Sequence, residues 1–382
     1  MTAPEPGDVP LSLYVHIPWC VRKCPYCDFN SHALKEVLPE QDYVQALLTG
    51  LRQQQELAAG REITSVFIGG GTPSLFSGAA IAKLLQGIRN QLVLAKDIEI
   101  TLEANPGAVD AGHFAEYRAA GVNRLSIGVQ SFNAVHLHSL GRIHDPGQAL
   151  QAFRLARSAG FRNINIDLMF GLPQQTPEQA LADLQQAARL APEHISWYQL
   201  TFEPNTLFYH QPPPTPDDEQ LWEIQQQGQG FLRNMGYAQY EVSAFSQKNG
   251  RCRHNLNYWM FGDYLAIGAG AHAKVSTEKG VIRYARERHP QTYMLSPGAR
   301  ISRRQLEDDD LKLEFMMNAL RLTEGVDVDL FGKRTGMAAA SIAESVDRAR
   351  QLGLLEKGAD RFQPTSRGQM FLNDLLVLFD KR

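Results

Sequence analysis

The chain has 382 residues, 43% hydrophobic and 21% charged, enough for a large globular unit with an appendage and no need of covalent staples. Its formal net charge of −3 excludes a general attraction to nucleic acid or anionic membrane. No stretch approaches the roughly 18 continuous apolar residues of a membrane span.

The opening "MTAPEPGDVP" has neither the basic nor the apolar region of a signal peptide. Residues 1–10 are expected to be disordered, and the protein cytoplasmic. From Leu11 the chain alternates short apolar, β-branched runs with amphipathic helical stretches. The runs are "LSLYVHIP", "ITSVFIGG", "DIEITLEAN", "RLSIGVQS", "NINIDLMFG" and "HISWYQLT". Strand–helix alternation of this kind predicts a parallel sheet with crossover helices. Each run ends in a polar or glycine-rich cluster: the cysteine loop, "GGGTP", Glu103, Gln130, Asp167, and Thr201 with Glu203. In a barrel all those carboxyl ends meet at one mouth, so six runs predict an incomplete (β/α)6 barrel over residues 11–210. The prolines of "EPNTLFYHQPPPTPDDEQ" close that core. Residues 211–305 form an aromatic, glycine-punctuated region expected to complete the barrel. Residues 306–382 read as a small helical domain with a hairpin at "LLEKGADRFQPT", resembling a winged helix. From Asp308 onward there are thirteen acidic and eleven basic side chains, a balance wrong for a DNA reader, so a packing domain is expected.

Of four cysteines, Cys20, Cys24 and Cys27 crowd into "HIPWCVRKCPYCDFN". A buried apolar role does not suit a loop that also carries Arg22, Lys23 and Pro25. A redox CxxC pair would leave Cys20 without a task. Zinc would need a fourth ligand such as His16 or His32. An iron–sulfur cluster wants thiolates, and three of them leave one iron open. Cluster, zinc and redox pair all remain open on spacing, with the cluster favoured.

CxxxCxxC with Tyr26 before the last cysteine, after a first strand, resembles the radical S-adenosylmethionine superfamily. The resemblance implies a full or partial barrel and a 4Fe–4S cluster on three cysteines, with S-adenosylmethionine on the fourth iron. The longer run "SLYVHIPWCVRKCPYCDFNS", "FIGGGTPS", "LEANPG", "RLSIGVQSF", "LGRIH" and "NIDLMFGLPQQT" is similar to the oxygen-independent coproporphyrinogen III dehydrogenase family and its haem-chaperone branch. It implies cofactor contacts from Tyr14, Tyr26, Gly70 and Glu103. It also implies contacts to a second S-adenosylmethionine from Gly71, Thr72, Gln130, Arg142, Asp167 and Thr201, and a late contact to the first from His272.

Two departures separate the relatives. The dehydrogenase pattern continues to CxxxCxxCxC, where this chain has Phe29, and it carries a long extension before the first strand, where only thirteen residues precede Tyr14. Conversely, "HNLNYW" matches the HNxxYW signature of the chaperones, implying haem contacts from His254, Asn255, Tyr258 and Trp259. An imidazole can ligate haem iron and the two aromatics offer flat surface; a hydrogen-bonded turn histidine beside core aromatics is the plainer alternative. Arg283, Arg286 and Arg288 are candidates for propionate pairing, or a solvated charge run. The expectation is a chaperone that binds haem and hands it to haem-requiring respiratory proteins, with dimerisation and peripheral membrane contact as family features. The competing reading is an enzyme acting on a porphyrinogen.

Overall fold

A computed structural model describes residues 6–108, 111–298 and 301–380. Its centre is a twelve-stranded sheet. The first six strands are β1 (Leu11–Ile17), β2 (Ile63–Gly70), β3 (Leu94–Ala104), β4 (Arg124–Gln130), β5 (Ile164–Phe170) and β6 (His194–Gln199). They are the six runs read from sequence, paired parallel in chain order. β1 shows why the pattern reads cleanly: six of its seven residues are buried, as a central parallel strand covered on both faces requires.

The remaining strands extend both edges. β7 (Ala238–Glu241) and β8 (Ala244–Ser246) form a hairpin whose β8 lies antiparallel to β6. β9 (Asp263–Ile267) returns across the molecule to pair parallel with β1, Leu11 opposite Asp263. β10 (His272–Thr277), β11 (Gly280–Arg286) and β12 (Ile301–Gln305) then follow antiparallel. The sheet thus runs β12-β11-β10-β9-β1-β2-β3-β4-β5-β6-β8-β7 with β12 and β7 as its edges.

Crossover helices include α1 (Glu40–Arg52), α2 (Gly78–Arg89), α3 (Ala111–Ala120), α4 (Pro146–Ser158) and α5 (Pro177–Arg189). Starts are strongly specified. Asp145 with Gln148 and Thr176 with Gln179 make reciprocal capping boxes, each followed by proline in the first turn. Asp217 and Gln220 cap the longer α6 (Asp218–Asn234) in the same way. Short α7 (Arg253–Trp259) carries the HNxxYW residues. The C-terminal unit has α8 (Asp308–Ala319), α9 (Val328–Thr335) and α10 (Ala343–Gln351), with further short turns, around its own core of Phe315, Met316, Phe331 and Leu375. Phe261 and Val281 belong to that same core, so the unit is seated on the sheet.

Two expectations need correction. Residues 1–5 lie outside those described, but Pro6–Asp8 form a helical turn and Val9 is buried. Arg61 and Arg334 donate to the carbonyls of Val9 and Asp8 at 3.1 Å each, which fixes this segment. The C-terminal hairpin is reduced to one Leu355–Pro364 bridge. Arg361–Phe362 pair instead with distant Val326–Asp327, because Phe362 joins the core beside Val326.

Candidate functional site: a thiol-lined cavity and its neighbour

The cysteine loop is pinned at its base. Trp19–Cys20 pair with His32–Ala33, and the amides of Gly71 and Thr72 donate to Ile17 and Trp19 at 2.7 Å. The glycines at the end of β2 make that approach feasible. Gly70 has φ +115°, and a Cβ there would meet the His16 ring at 2.5 Å; at Gly71 one would meet the Trp19 carbonyl oxygen at 2.6 Å. The loop therefore lies directly over the β2 end.

All three thiols line one cavity of about 370 Å³ at the carboxyl ends of β2–β6. Tyr26, Gly70, Gly71, Thr72, Glu103, Gln130, Arg142 and Asp167, all expected there from sequence, line it too. Burial pushes the Cys20 and Cys27 thiols up, so loading a metal centre must displace protons. Among the described residues no set of three or more His, Cys, Asp and Glu side chains closes around a single ion. His16 is not a spare ligand either: its ring nitrogens meet the Tyr14 hydroxyl and the Asn30 carbonyl at 2.9 Å. Three thiols spaced around a cavity suit the separated irons of a cluster.

The other donors suit a cationic, carboxylate-bearing ligand. Glu103 accepts from the Gly70 amide at 3.0 Å, yet burial and then the neighbouring Asp167 raise its carboxyl to about 8. Burial also raises Asp167, against hydrogen bonds from Ser126 at 2.9 Å and Asn165 at 2.7 Å. Both carboxyls stay raised, at Asp167 despite the Arg124 charge, which favours a ligand that brings a cation. Arg142 supplies the opposite charge, but not as a free fork. Its Nη2 donates to the Gly128 carbonyl at 2.7 Å, its Nη1 reaches Cys24 Sγ at 3.7 Å, and its buried Nε has no partner. Trp259 Nε1 and Arg321 Nε are likewise buried donors without acceptors, and both residues line the cavity. Gln130, at φ +69°, has its Oε1 engaged by the Tyr198 hydroxyl at 2.8 Å, a strained backbone held at the mouth. S-adenosylmethionine, with ammonium, sulfonium and carboxylate, matches this donor set.

Helix α7 divides the interior. Its amino end is held by Glu99, which accepts from the Arg253 and His254 amides at 3.0 and 3.3 Å. Its far end is tied by Asn257, donating to Ser12 Oγ and the Asp263 carbonyl at 2.7 Å. Asn255 and Trp259, four residues apart, face the thiol-lined cavity. Tyr258 faces a second, larger cavity of about 1020 Å³ between the cysteine loop and β9–β12. Tyr14 and His272 line that second cavity rather than the first.

His254 lies behind both. It is 1% exposed, with Nδ1 3.1 Å from Ser65 Oγ and Nε2 3.3 Å from the Tyr258 hydroxyl, and its ring stacks on Phe67 at 5.0 Å. Burial and then the Arg124 charge push it down to about 3, so it is a neutral core histidine without a free lone pair. Cys252 is a buried thiol at the start of α7, pushed up to about 12 by burial. Thr201 stands outside the cavity lining, donating to Glu203 at 2.9 Å. Arg283 is paired with Glu314 and Tyr264, which removes it as a propionate partner. Sequence reading missed Tyr198, Glu241 and Arg321 in the cavity lining. Arg321 follows α8 of the C-terminal unit and bonds Glu241 at 2.9 Å, and no local motif marks it.

The chain is similar to known proteins over nearly its whole length. Residues 14–187 match the radical SAM superfamily and residues 306–371 the HemN C-terminal domain. Heme chaperone HemW of Escherichia coli is 53% identical over 371 residues, covering 97% of this chain and 98% of the relative. HemW of Haemophilus influenzae is 49% identical at the same coverage. The solved coproporphyrinogen III oxidase HemN of E. coli, described as a radical SAM enzyme, superimposes with TM-score 0.83 at 26% identity, covering 98% of this chain and 91% of that one. With its thiol loop, HNxxYW helix and near full-length identity, the chain belongs to the HemW heme chaperone family of radical SAM proteins.

Proposed function

We propose that this protein binds haem and delivers it to haem-requiring respiratory proteins in the cytoplasm. Cys20, Cys24 and Cys27 would hold a 4Fe–4S cluster, and Glu103, Asp167 and Arg142 would orient S-adenosylmethionine against it. When bound, these groups supply a one-electron-reducible centre. The chain's own residues position the ligand's charges, screen them from water and, at Glu103, release a proton when a cation arrives. Dimerisation and peripheral contact with a membrane belong to the same proposal; among the described residues no helix is long and apolar enough to cross one.

The observation that carries the chaperone reading is the partition made by α7. An enzyme acting on a porphyrinogen must place a tetrapyrrole against S-adenosylmethionine, and about 370 Å³ is small for both. A carrier needs a separate compartment, and the larger cavity is one. The test is anaerobic: reconstitute the cluster, titrate haem, and assay coproporphyrinogen III. A Soret band without turnover supports the proposal; conversion to protoporphyrinogen IX would overturn it.

A further inference from the structure

We propose that haem occupies the larger cavity with His272 as its axial ligand, so that the HNxxYW histidine shapes the site without touching iron. This rests on the haem-binding reading above and says where and how binding occurs.

Size separates the cavities first. Pockets for small molecules span about 300–1,000 Å³. At about 1020 Å³ the larger one stands at the upper end of that range, where a flat macrocycle fits. Iron then needs an imidazole nitrogen with an unused lone pair. His254 has both nitrogens engaged inside the core. His272, the first residue of β10, is exposed at the cavity wall, and among the described residues no hydrogen bond engages its ring. Partial burial, then the Arg283 and Arg288 charges, lower its basicity, which keeps the ring neutral as ligation requires.

The walls suit the rest of the molecule. Tyr14, Tyr258 and Tyr264 supply aromatic surface, and Phe29 adds a ring that is 58% exposed. Phe29 also lines the thiol cavity, so the two cavities adjoin at this side chain. That is the position where the dehydrogenase pattern has a further cysteine. Of the arginines considered for the propionates, Arg283 is paired with Glu314, and Arg286 is buried with one nitrogen 3.5 Å from the Gly50 carbonyl. Arg288 remains exposed at the rim. The cavity is open to solvent, as release to an acceptor requires.

The test is a haem titration of the full-length, cluster-loaded protein, followed by Soret absorbance. His272→Ala should weaken haem binding at least about tenfold, and added imidazole should restore the wild-type spectrum in His272→Gly. Ala285→Trp, which fills the cavity beside His272 without removing a ligand, should also lose haem while retaining cluster absorbance. Unchanged affinity in both His272→Ala and Ala285→Trp, with wild type binding haem, overturns this site and leaves the chaperone reading intact. No Soret band in the wild type overturns both.

Discussion

Two polar centres of this molecule use opposite strategies. At the foot of β1, Asp263 is fully buried and every acceptor is taken: Arg61 at 2.7 Å, Lys274 at 3.0 Å, and the Ser276 amide and hydroxyl at 2.8 and 3.0 Å. Burial alone pushes that carboxyl up, but Lys274, Arg61 and Ser276 outweigh it and hold it below the usual range. At the mouth, Glu103 and Asp167 are raised, and Arg142, Trp259 and Arg321 each keep a buried donor idle. The first centre is closed and serves the fold by joining the turn before β2 to β9 and β10 around one charge. The second withholds partners from its own groups and is thereby ready for a charged visitor.

The sharpest way to break that contrast is Asp263→Ala. It strands two buried cations, and removing one partner of such a network costs about 3–5 kcal/mol. Urea unfolding should show that loss; a change under about 1 kcal/mol would mean water already screens the site.

Glu103→Gln should act with the opposite sign. The unfolded carboxyl ionises near 4.5 and the folded one near 8. Between these values the folded chain holds a proton that the unfolded chain has lost, so stability declines as pH rises through that window. Glutamine removes the decline. The ligand-free variant should be more stable than wild type at pH 8 by about 1–3 kcal/mol and no different near pH 4. Equal stability at both pH values would show Glu103 already ionised and solvated.

How much of this was legible beforehand follows the range of the contacts. The six strands of the parallel core announced themselves because buried parallel strands are continuous apolar runs, and the cysteine loop because its three thiols are local in sequence. Glu103, Gln130 and Asp167 could be placed at the mouth by strand ends alone. The Asp263 centre could not, since Arg61, Asp263 and Lys274 meet only when β9 crosses back to β1. Nor could the side of α7 be assigned: the HNxxYW motif names the residues, but Glu99 and Asn257 set the helix rotation that hides His254 and turns Trp259 to the cavity. Tyr14 and His272 were expected beside the cofactor and line the larger cavity, which adjoins the first at Phe29.

Trp259→Phe sharpens the second strategy. Its indole N–H is buried without an acceptor, while the ring lies 4.3 Å from the Arg321 guanidinium. Phenylalanine keeps most of the stacking and removes the idle donor. The ligand-free protein should change by no more than about 0.5 kcal/mol, whereas S-adenosylmethionine affinity should fall about fivefold, the worth of one hydrogen bond. Anaerobic calorimetry on cluster-loaded protein measures the latter; unchanged affinity would remove Trp259 from the ligand's partners.

The smallest effect belongs to Arg251. Its guanidinium meets Glu324 at 2.7 Å and lies 5.5 Å from the Tyr240 ring centroid, joining the loop before α7 to the C-terminal unit. The side chains are 38% and 65% exposed, so water and salt share the pair. Arg251→Ala should cost at most about 0.5 kcal/mol, and the cost should vanish in about 1 M salt. Arg321, paired with buried Glu241 at the same junction, has less access to solvent and should retain its effect in salt. Should Arg251→Ala instead loosen the C-terminal unit, seen as faster amide exchange across α8, the seating would depend on charge. The shared core of Phe261, Val281 and Phe315 argues that it depends on apolar contact.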